Sequence, residues 1–178
     1  MSILIRKGKV EDAKGVVEVN TYTWETTYKG LMPDEVLEER IKTMDERIPK
    51  MAESVRKKDN LFVAEDNDKI VGMMTYGPSR NEEYQEIGQI YAIYVLKEYQ
   101  GLGIGKKLFM TGIKELIGKG YNSMIVNVLD GNKTRKFYEK YGGKKVGKIE
   151  DYFGNAKLTE HTMYFENLDK IYSEFMKK

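Results

Sequence analysis

Residues 87–107 read IGQIYAIYVLKEYQGLGIGKK. The first nine, Ile87–Val95, carry apolar side chains on both faces of an extended chain, the pattern of a strand buried on two sides. A few residues later come Gly101, Gly103 and Gly105, and beyond them Leu108, Ile113, Leu116 and Ile117 recur at helical spacing. A strand that feeds a glycine-rich turn opening a helix exposes unpaired backbone N–H groups and a partial positive charge. Glycines let a phosphate come close to that backbone, so the stretch reads as a phosphate cradle. Lys106 and Lys107 fall in the first helical turn. A cation is disfavoured there by roughly 0.3–1 kcal/mol, a sign that a bound anion would reverse. Taken alone, the two lysines read equally well as solvated side chains.

Two common phosphate binders do not match. A P-loop follows its glycines with Lys-Ser/Thr, and Gly105-Lys106-Lys107 supplies no hydroxyl for magnesium. A dinucleotide fold requires G-x-G-x-x-G and an acidic residue about 20 positions on. Here the spacing is G-x-G-x-G, and the strands before it read as a hairpin.

Outward from this centre, the chain alternates strand and helix signals. Ile3–Arg6 is a short strand. Val10 to about Tyr28 is helical, with Val16, Val17, Val19 and Trp24 on its apolar side. Pro33 suits the first position of a second helix running to about Lys57, in which Pro49 should make a kink or a split. Leu61–Glu65 and Lys69–Tyr76 flank the polar turn Asp66-Asn67-Asp68 as a hairpin. After the glycine loop come a strand at Ser123–Leu129, a helix near Lys133–Tyr141, and strands near Lys144–Ile149 and Leu158–Phe165. The order predicts an α/β class with a mixed sheet. No repeat or linker interrupts the 178 residues, so residues 1–178 read as a single domain.

Composition narrows the chemistry. Thirty basic and 28 acidic residues leave a formal charge of +2, which does not favour nucleic acid as a partner. Without cysteine there is no disulfide, no thiolate metal site and no cysteine nucleophile, and with one histidine, His161, there is no histidine-rich metal site; no metal is expected. The N-terminus lacks a signal-peptide core, and no apolar run reaches the roughly 18–20 residues of a membrane helix. No membrane partner is expected, and the expected compartment is cytoplasmic.

Gln100, Gly103 and Gly105, following a strand that ends Tyr94-Val95, resemble the coenzyme A motif of the GNAT acetyltransferase superfamily, Gln/Arg-x-x-Gly-x-Gly/Ala. Asn132, Phe137, Tyr138 and Gly142 resemble its second block, an asparagine followed by a Phe-Tyr pair and a glycine turn. Trp24, Tyr28, Gly30 and Leu31 are similar to a Trp-x-x-x-Tyr-x-Gly-Leu segment of small-molecule members. The resemblance implies the GNAT fold: a mostly antiparallel central sheet with one splayed strand pair, flanked by helices. It implies acetyl-CoA as acetyl donor and a small-molecule amine or a protein N-terminal amine as acceptor. Homodimerisation, common in the superfamily, is a further implication.

The same resemblance distributes roles. The amides of Gly101, Gly103, Gly105 and Lys106 should take the pyrophosphate, with Gln100 in the same motif. Ile93 and Val95 should pair with the pantetheine arm through their backbones, and the Val95 N–H should meet the thioester oxygen. Tyr138 should protonate the departing thiolate, although Phe137, Tyr138 and Tyr141 also share one face and read as core. Asn132 should bond the pantetheine or nearby backbone, or else cap its helix. Arg135 should lie near the 3′-phosphate or in solvent. Trp24, Tyr28, Tyr152 and Phe153 should line the acceptor site, with core packing as the plainer reading of Trp24.

The general base is missing from its usual place. Many family members carry glutamate where Gln89 stands, and an amide cannot accept the ammonium proton. His161 has a suitable reference pKa, and a water relay would also serve. Two functional readings therefore stand beside direct acetyl transfer. One is an acetyl-CoA-binding sensor without catalysis, and the other is an unrelated nucleotide binder.

Overall fold

The computed structural model describes residues 2–153 and 155–177. The first strand, β1 (Ile3–Lys7), pairs antiparallel with β2 (Leu61–Asp66), with Ile5 opposite Ala64. β2 turns into β3 (Lys69–Pro78) through Asn67 and Asp68, both left-handed at φ 48° and 65°. Two such residues give the turn the twist that a tight hairpin needs. β4 (Gly88–Val95) is followed by β5 (Met124–Leu129), β6 (Lys144–Phe153) and β7 (Ala156–Phe165). The seven strands take the order β1-β2-β3-β4-β5-β7-β6. β5–β7 and β6–β7 are antiparallel and β4–β5 is parallel, so the sheet is mixed and mostly antiparallel, as expected.

The helices are α1 (Ala13–Tyr28), entered through a 3₁₀ turn at Val10–Asp12, α2 (Asp34–Lys42), α3 (Met44–Lys57), α4 (Ile104–Gly118), α5 (Arg135–Lys140) and α6 (Leu168–Met176). The described residues gather into two compact units. One holds the residues up to Thr75 together with Ala92–Phe109; the other holds Tyr76–Tyr91 and the residues from Met110 onward. The boundary falls inside β3 and inside β4. In the first unit α1 lies so close on β3 that a Cβ at Gly15 would sit 2.8 Å from Ile70. In the second, Gly88 of β4 leaves room for Leu116 of α4, which a Cβ would meet at 2.8 Å.

The start of α1 is held by charge. Arg6 donates Nη1 and Nη2 to the two carboxylate oxygens of Asp12 at 2.7 and 2.9 Å, and the Lys9 amide donates to the same carboxylate at 2.7 Å. Asp12 is buried, and these bonds, Arg6 first, hold its carboxyl below the usual 3.8 against the opposing effect of burial.

Two expectations change. The helix predicted from Pro33 to Lys57 is two helices, and they part at Thr43, not at Pro49. The Thr43 amide and hydroxyl both return to the Glu39 carbonyl, at 3.0 and 2.8 Å. A hydroxyl bonding back to the preceding turn competes with the ladder and bends a helix. Pro49 is accommodated within α3 at the cost of one ladder bond. Pro33 is the N-cap of α2, one position before the place expected. Beyond β7 the chain forms α6, whose first residue Leu168 is fully buried.

Candidate active site

The cradle belongs to the first unit and is built by the end of β4. The Leu96 amide donates to the Val71 carbonyl of β3 at 3.0 Å. Successive residues of an extended chain aim their N–H groups at opposite edges, so the Val95 amide points away from β3. On that edge the Val95 carbonyl is taken by Gln100, whose Nε2 donates to it at 3.0 Å. A 3₁₀ turn at Lys97–Tyr99 then brings the chain to the glycines.

Gly101 and Gly103 have φ of 79° and 77°, where a side chain would be strained. α4 opens at Ile104, and the Lys107 amide donates to the Gly103 carbonyl at 3.0 Å. The amides of residues 104–106 precede any intrahelical partner and point out of the helix end. Gly105 differs from the other two. Its φ is not left-handed, and a Cβ there would touch only Val95 Cγ2, at 4.0 Å. Neither conformation nor packing within the protein requires glycine at 105. What its missing side chain leaves clear is the space over the helix N-terminus, which fits a phosphate group against the amides. Lys106 is half-buried in this first turn.

Trp24 and Tyr28 are in the same unit. They meet edge to face with ring centroids 5.1 Å apart, Trp24 buried and Tyr28 half-buried. The guanidinium of Arg40 lies over the Trp24 ring at 3.8 Å. Arg40 and its neighbour Arg47 carry no sequence motif, and nothing in their spacing marks them.

Ile93, like Val95, belongs to the first unit, whereas Asn132, Arg135, Tyr138, Tyr152 and Phe153 belong to the second. Tyr138 on α5 is buried, edge-on to Phe137 at 5.2 Å and to Phe165 at 6.3 Å, so its ring does pack in the core. Asn132 does not cap α5; Thr134 holds that position, and Asn132 Oδ1 accepts the Thr134 amide at 3.0 Å. Arg135 pairs with Glu139 one turn on, at 3.1 Å. Tyr152 stands near the end of β6 and is 63% exposed. Phe153 follows it as the last residue of β6 and is half-buried.

β4 and β5 pair at Gly88↔Met124 and Gln89↔Ile125, and Ile90 and Tyr91 continue β4 with no partner on β5. The strands thus part after two residues, the splay that the resemblance implies. Gln89 is buried, and its Oε1 accepts the Arg80 amide at 2.7 Å, which fastens the segment after β3. His161 Nε2 lies 2.8 Å from Asp130 Oδ1, and its buried Nδ1 has no hydrogen-bond partner. Next to it on β7, Glu160 is pushed up from the usual carboxylate range by burial and then by Asp151. That shift follows burial first and could not be read from sequence.

The comparisons agree with this architecture. The model of the acetyltransferase (GNAT) family matches residues 22–143, and the chain belongs to that family. It is 30% identical over 171 residues to the uncharacterized N-acetyltransferase YuaI of Bacillus subtilis, covering 95% of this chain and 96% of that one. It is 28% identical over 165 residues to the spermidine N(1)-acetyltransferase of Thermoplasma acidophilum, covering 90% and 97%. In fold it is similar to the PaiA N-acetyltransferase of Thermoplasma acidophilum, solved in complex with coenzyme A, with a TM-score of 0.73 and 24% identity over 93% of this chain and 99% of that one. The chain is an acetyl-CoA-dependent N-acetyltransferase by family, which removes the reading of an unrelated nucleotide binder. Among the described residues no helix is long and apolar enough to cross a membrane.

Proposed function

We propose that the chain transfers the acetyl group of acetyl-CoA to a primary amine by direct attack, without an acyl-enzyme intermediate. The observation that carries this reading is the end of β4. The Val95 amide is directed to the strand edge away from β3, the Val95 carbonyl beside it is already occupied by Gln100, and a helix N-terminus with an unobstructed glycine follows within ten residues.

In this reading the amides of Gly101, Gly103, Gly105 and Lys106 hold the pyrophosphate, and the backbone of Ile93 and Val95 holds the pantetheine arm. The amine nitrogen attacks the thioester carbonyl carbon, and the oxygen gains negative charge. The Val95 amide donates to that oxygen; a fixed donor of this kind contributes about 3–4 kcal/mol in well-studied cases. The carbon–sulfur bond then breaks and Tyr138 gives its phenolic proton to the leaving thiolate. The attacking amine must arrive deprotonated. Gln89 cannot take that proton. The chain contains no cysteine to carry an acetyl group, which accords with direct transfer.

The experiment is thermal unfolding with acetyl-CoA, coenzyme A, ATP and NAD in parallel, followed by measurement of thiol release with a panel of amines. A ligand at a hundredfold excess over its Kd adds about 2.7 kcal/mol of stability. Stabilisation by the two coenzyme A species alone, with amine-dependent thiol release, is the expected result. No stabilisation by either in folded protein would refute the cradle.

A further inference from the structure

Two arginines of the first unit converge on one neutral oxygen. Arg40 Nη2 and Arg47 Nη1 both donate to Asn20 Oδ1, the latter at 3.2 Å. Arg47 Nη2 also donates to Thr21 Oγ1 at 2.5 Å and to the Arg40 carbonyl at 2.7 Å, so part of Arg47 clips the junction of α2 and α3. The Nε groups of both arginines are buried and have no hydrogen-bond partner. Among the described residues, no carboxylate pairs with either guanidinium. Burial, and then the neighbouring Arg47, lower Arg40 to about 10, and burial lowers Arg47 as well. Both remain cationic at neutral pH.

Two like charges that share one amide oxygen in a half-buried setting are a costly arrangement unless something neutralises them. Arg47 has a structural use; Arg40 has its stack on Trp24 and its share of the Asn20 oxygen. Both side chains retain some exposure, so an anion can reach them. Their location gives the charge a purpose. Arg40 is within electrostatic range of Tyr94, which adjoins Val95 on β4.

We propose that Arg40 and Arg47 bind an anionic oxygen group, a carboxylate or a phosphate, on the amine that this enzyme acetylates. The inference rests on the transfer reading above and narrows its acceptor class: an amine carrying its own acid group, not a polycation. Guanidinium forks suit such groups because they donate paired N–H bonds in one plane. The two positive charges repel a polyamine.

The chain offers a reporter. Trp24 is its only tryptophan and lies directly beneath Arg40. In protein free of coenzyme, acetate and inorganic phosphate are titrated at constant ionic strength against chloride, and tryptophan emission is followed. A saturable change in the wild type that is absent in Arg40→Gln supports the site, and whichever anion saturates at lower concentration identifies the preferred group. No saturable change with either anion overturns the proposal, whatever the enzyme's turnover.

Turnover supplies the second readout. At saturating acetyl-CoA, matched acceptors are compared that share a carbon skeleton and amine but end in a carboxylate, a phosphate or hydrogen. The acid-bearing member should lead in kcat/KM by about tenfold or more. Arg40→Gln should erase that lead through the acceptor KM while the acetyl-CoA KM stays within about twofold. Transfer that proceeds equally well with uncharged amines or polyamines would overturn this inference and leave the acetyl-transfer reading intact. An anion response at Trp24 with no transfer to any acceptor would uphold the anion site but overturn the transfer reading, and with it the assignment of the anion to an acceptor.

Discussion

The side-chain amide of Gln100 donates to the main-chain carbonyl of Val95 at 3.0 Å, closing the strand end onto the glycine loop. The motif glutamine thus acts on the strand from which it departs, and it consumes the acceptor next to the amide assigned to the thioester oxygen. Gln100→Ala removes one bond of about 1 kcal/mol. The expected result is a several-fold loss in kcat/KM for acetyl-CoA with a small fall in melting temperature. Unchanged kinetics would show that the strand end holds its shape without the tie.

Gly105 separates binding from stability. Alanine there suits a helix better than glycine by up to about 1 kcal/mol and meets no protein atom closer than 4.0 Å. Gly105→Ala should therefore raise the melting temperature of the free protein and shrink the rise that coenzyme A produces. Gly103→Ala should instead destabilise by about 1–2 kcal/mol, because its φ of 77° is left-handed. Parallel thermal scans of both variants, with and without coenzyme A, check the pair of outcomes.

Tyr138→Phe keeps the ring that packs against Phe137 and Phe165 and deletes only the hydroxyl. If that hydroxyl protonates the thiolate, kcat should drop by about a hundredfold, with coenzyme A stabilisation retained. Wild-type turnover in this variant would remove Tyr138 from the reaction.

The Arg6–Asp12 pair sets an acid limit on folding. Asp12 has a folded pKa below its ordinary 3.8, so its contribution is complete above that value and is lost as pH falls below it through the folded pKa. Asp12→Asn should cost roughly 2 kcal/mol at neutral pH. The gap to wild type should narrow only below about pH 4. Denaturant melts across this range are the measurement; a constant gap down to the acid limit would contradict the assignment.

Arg40 works in the opposite direction. Burial without a carboxylate makes its charge unfavourable in the free enzyme. Arg40→Met keeps a long chain over Trp24 and should stabilise the unliganded protein by about 1 kcal/mol. A marked loss of stability would mean that the guanidinium serves structure.

What the sequence reveals follows from locality. The hairpin at Asn67-Asp68, the strand at 88–95 and the helix after the glycines each depend on residues within one short window, and each forms where periodicity and turn chemistry indicate. Pro49 is the strongest helix breaker in its window, yet Thr43, through its bonds to Glu39, ends the helix. Asn132 reads as a cap, but the chain takes two more residues to enter α5. Asn20 lies 20 and 27 residues from Arg40 and Arg47 and meets them only when α1, α2 and α3 pack, so no short window of the sequence contains all three. Glu160 is inconspicuous until burial raises its carboxyl.

Gln89 uses only the oxygen half of its amide, to accept the Arg80 N–H. A carboxylate at this position would accept the same bond with the same shape. Gln89→Glu is thus a single nitrogen-for-oxygen exchange, with no rebuilding of backbone. A lineage could acquire or discard a titrating group at the head of β4 in one mutational step and adjust its working pH while the scaffold stays as it is.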